Sequence, residues 1–340
     1  MTENFSTESA DELAGQRLML GFDGTRFDDD LRDLIARFRP GGLILFKRNV
    51  EGPDRLRALC ADAQAFARSL GLPPLLFSID QEGGSVARLG PPFTVFPGNP
   101  AMADEADAER FGRISAAELL DVGIQMNLAP VMDVALPGEP SVMESRVFAG
   151  GPDRVARMGC RVVRALQENG VLAVAKHFPG IGRTVLDSHE DLPRMSESQA
   201  EIERIELPPF RAAVREGVAG IMLSHILYPA LDPEWPAGLS VAIARDLLRG
   251  EMGYDGLVLT DDLDMGAIRR HFSISEAIPR ILAAEIDLIL ICRPGPAQET
   301  AWNEIRRHIR ADSDIRVAAR RSAERIRRAK RRVFPEGRTA

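Results

Sequence analysis

The sequence predicts a single-domain (β/α)8 barrel, and three observations carry that prediction. Eight short apolar stretches recur along the 340 residues. Segments with helical spacing separate them, which is the alternation of a parallel sheet. No GxGxxG phosphate fingerprint follows the first stretch, as it would in an open dinucleotide-binding sheet. Eight strand–helix units is the count that closes a barrel.

The predicted strands are 18–22, 43–46, 75–80, 124–129, 172–176, 221–224, 257–260 and 288–291. Most are continuous apolar runs rather than alternating ones, as expected of strands covered on both faces. The clearest helices are 54–69, 104–120, 153–167, 208–216 and 242–251, with Pro208 and Pro209 suited to a first turn. Two connections, 91–103 and 130–152, are long enough to be functional loops. Residues 315–333 form a final amphipathic helix, with Ile315, Ala319, Ser322, Ile326, Ala329 and Val333 on one face. One domain therefore spans 1–340.

At 45% hydrophobic and 27% charged, the composition supports a full core and excludes disordered and collagen-like chains. Apolar runs end after about five residues, far short of the ~20 of a membrane span. Residues 1–16 lack a basic and then apolar leader, so a soluble, cytoplasmic protein is expected. Three widely spaced cysteines without CxxC argue against a disulfide framework or a Cys-rich zinc site. The net charge of −7 is unevenly spread: residues 312–340 carry +6, leaving −13 on the body. That acidic body argues against nucleic acid as the main partner, and with no span-length apolar run no membrane partner is expected. The basic last helix is read as a solvated face docked on the body, with a basic arm for an anionic polymer or membrane as the alternative.

Catalytic groups of such barrels project from the C-terminal strand ends. Read in order, those ends carry Asp80-Gln81-Glu82-Gly83-Gly84 with Arg88, then Asp133 and Arg146, Lys176-His177, Ser224-His225, Asp261-Asp262 and Arg293. In the glycine-rich segment 176–189, Asp187 and His189 stand two residues apart, so a carboxylate can hold one imidazole nitrogen. An oriented His is a good general acid/base near neutral pH. Asp261, close behind an apolar strand, could attack an electrophilic carbon, bind a metal or hold a substrate hydroxyl. Asp-rich turns also serve as helix caps. Asp133 and Glu82 read as braces, and His225 as a packed histidine at a strand end.

The segments LGFDG (20–24), GGLILFKRN (41–49), SIDQEGGSVARL (78–89), NLAPVMDV (127–134), KHFPGIG…DSHEDLP (176–193), SHILYPALD (224–232) and GLVLTDDLDMGAI (256–268) occur in an order that resembles the single-domain β-N-acetylhexosaminidases of glycoside hydrolase family 3. The likeness runs from about residue 15 to 330. It implies a retaining β-N-acetylglucosaminidase that removes non-reducing terminal N-acetylglucosamine from peptidoglycan-derived muropeptides by double displacement. By the same resemblance, Asp261 is the nucleophile, His189 the acid/base and Asp187 its partner. Asp80, Arg88, Arg146, Lys176 and His177 match positions that hold the sugar hydroxyls. No cofactor and no metal are expected, the partner is a small sugar or muropeptide, and the protein is expected to be a monomer.

The sequence departs from the family pattern in four places. Ile181 stands where His is common in the PGxG turn, and Ser85 where a second Arg is frequent. Val147 follows Arg146 where a small polar residue is usual, and Glu285-Ile286 replaces a glycine pattern before the last strand. These bear on aglycone preference more than on reaction type. A β-N-acetylglucosaminide phosphorylase and a catalytically retired muropeptide-binding protein stand as alternatives. A metal hydrolase using His177, His189 and His225 is disfavoured, because no HxH opens the first strand.

Overall fold

The computed structural model describes residues 8–186 and 192–334. Eight parallel strands close into a barrel: β1 (Leu18–Gly21), β2 (Gly42–Leu45), β3 (Leu76–Ile79), β6 (Met126–Asn127), β7 (Leu172–Phe178), β8 (Gly220–Leu223), β9 (Leu257–Asp262) and β10 (Leu288–Ile291). Closure is made by β1 against β10, with Leu18 opposite Ile289. All eight predicted strands are present, within a few residues at their ends.

The strands read as unbroken apolar runs because both faces are buried. Met19, Ile44, Leu172, Leu257 and Leu288 point into the barrel, while Leu18, Leu43, Ala173, Val258 and Ile289 pack outward on the helices. The helices include α1 (Ala10–Gln16), α2 (Asp29–Phe38), α3 (Pro53–Ser69), α4 (Glu105–Asp121), α5 (Pro152–Glu168), α6 (Gln199–Ile205), α7 (Leu207–Arg215), α8 (Gly266–Arg269), α9 (Ile274–Ala283) and α10 (Pro296–Ala311). Prolines open α3, α5 and α10, where the lost N–H has no intrahelical partner. Asp104 caps α4 by accepting from the amides of Ala106 and Asp107.

Three local features differ from the sequence expectation. Residues 81–87, which the sequence assigned to no strand, form a small antiparallel hairpin of β4 (Gln81–Gly83) and β5 (Val86–Ala87). Its turn uses Gly83 and Gly84 at φ +86° and +59°. The Ala242–Glu251 helix is wound as a π helix; over ten residues apolar spacing does not separate that from an α helix. Glu285, standing in place of a glycine, adopts a left-handed φ of 53°.

The last helix, α11 (Ser313–Val333), buries Ala319, Ser322, Ile326 and Ala329, four of the six residues of the expected face. Its basic face docks on the acidic body. Arg321 pairs with Glu285, Arg325 lies 2.9 Å from Asp255 and 3.4 Å from Asp287, and Arg328 reaches Asp255 at 2.9 Å. Asp255 and Glu285 precede β9 and β10, so α11 lies at the N-terminal end of the barrel. Ile326 and Ala329 there join the barrel's inner apolar cluster. No helix among the described residues is long and apolar enough to cross a membrane.

Candidate active site

A cavity of about 250 Å³ opens at the C-terminal ends of the strands, where Asp80, Lys176, His177 and Asp261 meet over an apolar floor that includes Met222 and Leu290. That volume is near the lower end of ligand pockets, a size suited to one sugar ring rather than a long oligomer.

Barrel geometry assembles the polar wall. Asp80 directly follows β3, Glu82 lies on β4, and Lys176 lies within β7. Lys176 Nζ donates to Asp80 Oδ1 at 2.6 Å and lies 2.7 Å from Glu82 Oε1. Arg146 forks onto Glu82, from Nη2 at 2.7 Å and Nε at 3.0 Å, while Arg88 donates to Asp80 Oδ2 at 3.1 Å. Burial would raise the pKa of Asp80, but Lys176 and Arg88 override it and hold the carboxyl well below the usual carboxylate range. Glu82 is lowered in the same way by Lys176 and Arg146. Burial would lower the pKa of Lys176, yet the two carboxylates raise it above its ordinary value. The wall is thus a fully ionised network offering fixed donors and acceptors to hydroxyl groups.

His177 is oriented from behind by Asp133, whose Oδ2 lies 2.8 Å from Nδ1. The other oxygen of Asp133 accepts from the amides of His177 and Ile181 at 3.2 and 2.9 Å. Asp133 therefore fixes both the imidazole and the turn that follows it. Tyr228 donates to the Gly180 carbonyl at 2.7 Å, and Arg183 forks onto buried Glu206 at 2.7 and 3.0 Å. Gly182 packs so closely on Val134 that a Cβ would sit 2.3 Å from its carbonyl. Ile181 is held on the cavity wall by these anchors.

Opposite this wall, β9 carries Asp261 and Asp262 to the cavity. Asp261 Oδ1 accepts from the Asp262 amide at 2.8 Å. Asp262 Oδ1 accepts from the amides of Asp264 and Cys292, each at 3.0 Å. Burial, followed by the charges of Asp264 and Asp261, pushes the Asp262 carboxyl up to about 6. Phe46 forms an aromatic wall beneath Arg48 and Arg88, whose guanidinium carbons lie 4.7 and 5.4 Å from its ring centre.

Six sequence-selected residues, Asp80, Arg88, Arg146, Lys176, His177 and Asp261, therefore line one cavity. Asp187 and His189 lie outside the described residues. Arg293 is exposed and does not line the cavity, and His225 is buried behind it. Glu82 and Asp133 are the braces they were read to be. Sequence reasoning did not single out Phe46, Met222 or Cys292, which read simply as strand-end apolar residues. Among the described residues, no cluster of three or more His, Cys, Asp or Glu side chains could hold a metal ion.

Residues 9–331 match the N-terminal domain of glycosyl hydrolase family 3. The chain belongs to that family. It is a glycoside hydrolase, similar over 284 residues and at 37% identity to a beta-hexosaminidase of Alkalilimnicola ehrlichii, covering 81% of this chain and 80% of that one. Among solved structures, a family 3 beta-N-acetylglucosaminidase from Paenibacillus sp. superposes with a TM-score of 0.93 at 38% identity. The match covers 98% of this chain but only 64% of that longer protein. NagZ from Neisseria gonorrhoeae, solved with N-trifluoroacetyl-D-glucosamine, gives a TM-score of 0.73 at 27% identity, covering 91% of this chain and 98% of NagZ.

Proposed function

We propose that this family 3 member is a retaining β-N-acetylglucosaminidase that removes non-reducing terminal N-acetylglucosamine from muropeptides derived from peptidoglycan. One observation carries the reading: Asp261, at the end of β9, shares a single-sugar cavity with the Asp80–Lys176–Glu82–Arg146 network. A glycosidase of this kind needs a carboxylate at the anomeric carbon and fixed polar partners for the ring hydroxyls.

In this reading Asp80, Arg88, Lys176, His177 and Arg146 bind the sugar hydroxyls. An Asp261 oxygen attacks the anomeric carbon as the bond to the leaving oxygen breaks. His189, held by Asp187, gives its proton to that oxygen. A water then loses a proton to the same imidazole and attacks the anomeric carbon, releasing the Asp261 carboxylate. Two inversions at one carbon give net retention. The roles of Asp187 and His189 rest on the family resemblance and the DSH spacing.

The same reading makes the protein a cytoplasmic monomer. In support of a reducing compartment, Cys60, Cys160 and Cys292 are all free thiols, and Cys60 and Cys292 are buried. Product analysis tests the proposal: a panel of aryl β-N-acetylglucosaminides, β-glucosides and a muropeptide-type disaccharide, each with and without phosphate. Release of free N-acetylglucosamine, independent of phosphate, is the expected result. Sugar 1-phosphate would instead identify a phosphorylase, and saturable binding without turnover a retired sensor.

A further inference from the structure

One ionisable group beside the cavity has no part in the mechanism above. His225 follows β8 by two residues, next to the end of β9, where the last aligned pair is Leu223 with Thr260. The residue is 1% exposed, and neither ring nitrogen has a partner in full hydrogen-bond geometry, although the main chain of Asp261 and Asp262 lies close enough to act on the ring. Buried polar atoms without partners are rare in native proteins and call for an explanation.

The surroundings point to one direction. The main chain of Asp261 and Asp262 faces the ring, and the Asp261 carboxylate and the His177 imidazole lie near it. Burial lowers its pKa, so the neutral ring carries one N–H and one bare nitrogen. The other side is closed by the turn Ala237–Leu239, whose Ala237 and Gly238 amides donate to the carbonyls of Ile226 and Ser224 at 2.9 and 2.8 Å. A Cβ at Gly238 would lie 2.7 Å from Nδ1 and 2.9 Å from Cε1 of His225. The turn therefore leaves room for this ring, pressed toward the strand that carries Asp261.

We infer that His225 is a positioning residue for Asp261, its imidazole N–H holding the main chain at Asp261 and Asp262 so that the Asp261 carboxylate stays aimed at the anomeric carbon. The inference rests on Asp261 being the nucleophile. In the free enzyme this contact is loose, as catalytic hydrogen bonds commonly are before substrate tightens them. A small misplacement of a nucleophile costs about 10²-fold in rate.

The test uses 2,4-dinitrophenyl N-acetyl-β-glucosaminide, whose leaving group needs no proton, so the acid step is silent. His225→Phe keeps a flat ring without the donor. It should lower kcat by about 10²-fold and leave inhibition by free N-acetylglucosamine unchanged, while His225→Gln restores part of the rate. Gly238→Ala should lower kcat in the parent and cause no further loss beside His225→Ala, which decides the matter if His225→Phe does not fold. A parent-like kcat for His225→Phe, or additive losses for Gly238→Ala and His225→Ala, overturns the inference. Azide rescue of Asp261→Gly separates the two readings. If azide restores turnover there while His225→Phe is fully active, only the inference falls. If azide restores nothing, the nucleophile reading falls and takes the inference with it.

Discussion

Lys176 and Glu82 meet at 2.7 Å in the polar wall of the cavity, with each side chain 2% exposed. A buried ion pair contributes little net stability, because desolving two charges costs about what their attraction returns. What the pair supplies is placement, since the same ammonium also holds Asp80 at 2.6 Å and the same carboxylate holds Arg146 at 2.7 Å.

Removing the centre of that network should therefore cost both stability and binding. Lys176→Met leaves two carboxylates buried against fewer cations, a loss of about 3–5 kcal/mol by the behaviour of broken buried pairs. Urea unfolding should show a lower midpoint, and steady-state kinetics a raised KM for an aryl β-N-acetylglucosaminide. A parent-like midpoint would contradict the network's role.

The carboxylates also set a pH dependence of stability with two opposite parts. Asp80 and Glu82 have folded pKa values below their unfolded ones. Their contribution is present above the unfolded values of about 4 and is lost as the pH falls. Asp262, raised to about 6, does the reverse: its contribution is full below about 4 and is lost as the pH rises through 6. Denaturant midpoints measured from pH 3 to 8 should fall steeply at the acid end. Asp262→Asn should flatten the segment between about 4 and 6, and an unchanged segment would contradict the assignment.

Ile181 offers the cavity an apolar wall where the family commonly has an imidazole. Ile181→His should change the ratio of kcat/KM between a disaccharide and an aryl substrate by up to about tenfold, the equivalent of one hydrogen bond. Competition between the two substrates measures it. An unchanged ratio would remove Ile181 from aglycone selection.

At the far end of the barrel, Arg325 joins α11 to Asp255 and to fully buried Asp287. Arg325→Ala should destabilise the protein by about 1–3 kcal/mol, the cost of leaving a buried charge short of a partner. Because the cavity lies at the opposite strand ends, kcat should not change. A thermal melt paired with an activity assay checks both.

Much of this was legible in the sequence, for physical reasons that also mark where legibility stopped. The strands could be read because helices cover one face and the barrel interior the other, so both faces had to be apolar. Strand ends then placed Asp80, Lys176 and Asp261 on one rim. Their partners could not be read, since Lys176 meets Asp80 and Glu82 across more than ninety positions. The hairpin at 81–87 could not be read, since Gly83 and Gly84 suit a tight turn and a close backbone approach to ligand alike, and both use positive φ. The apolar face of α11 and its docking on the acidic body were visible in the charge pattern. That it closes the barrel floor depended on where Asp255 and Glu285 sit.

The central claim, that Asp261 forms a bond to the sugar, has one direct measurement. The His189→Ala variant is mixed with 2,4-dinitrophenyl N-acetyl-β-glucosaminide, quenched in acid during turnover, digested and analysed by mass spectrometry. The account predicts one N-acetylhexosaminyl unit on the peptide containing Asp261, since the first step needs no acid and the second lacks its base. Turnover with no adduct, or an adduct on another residue, would contradict it.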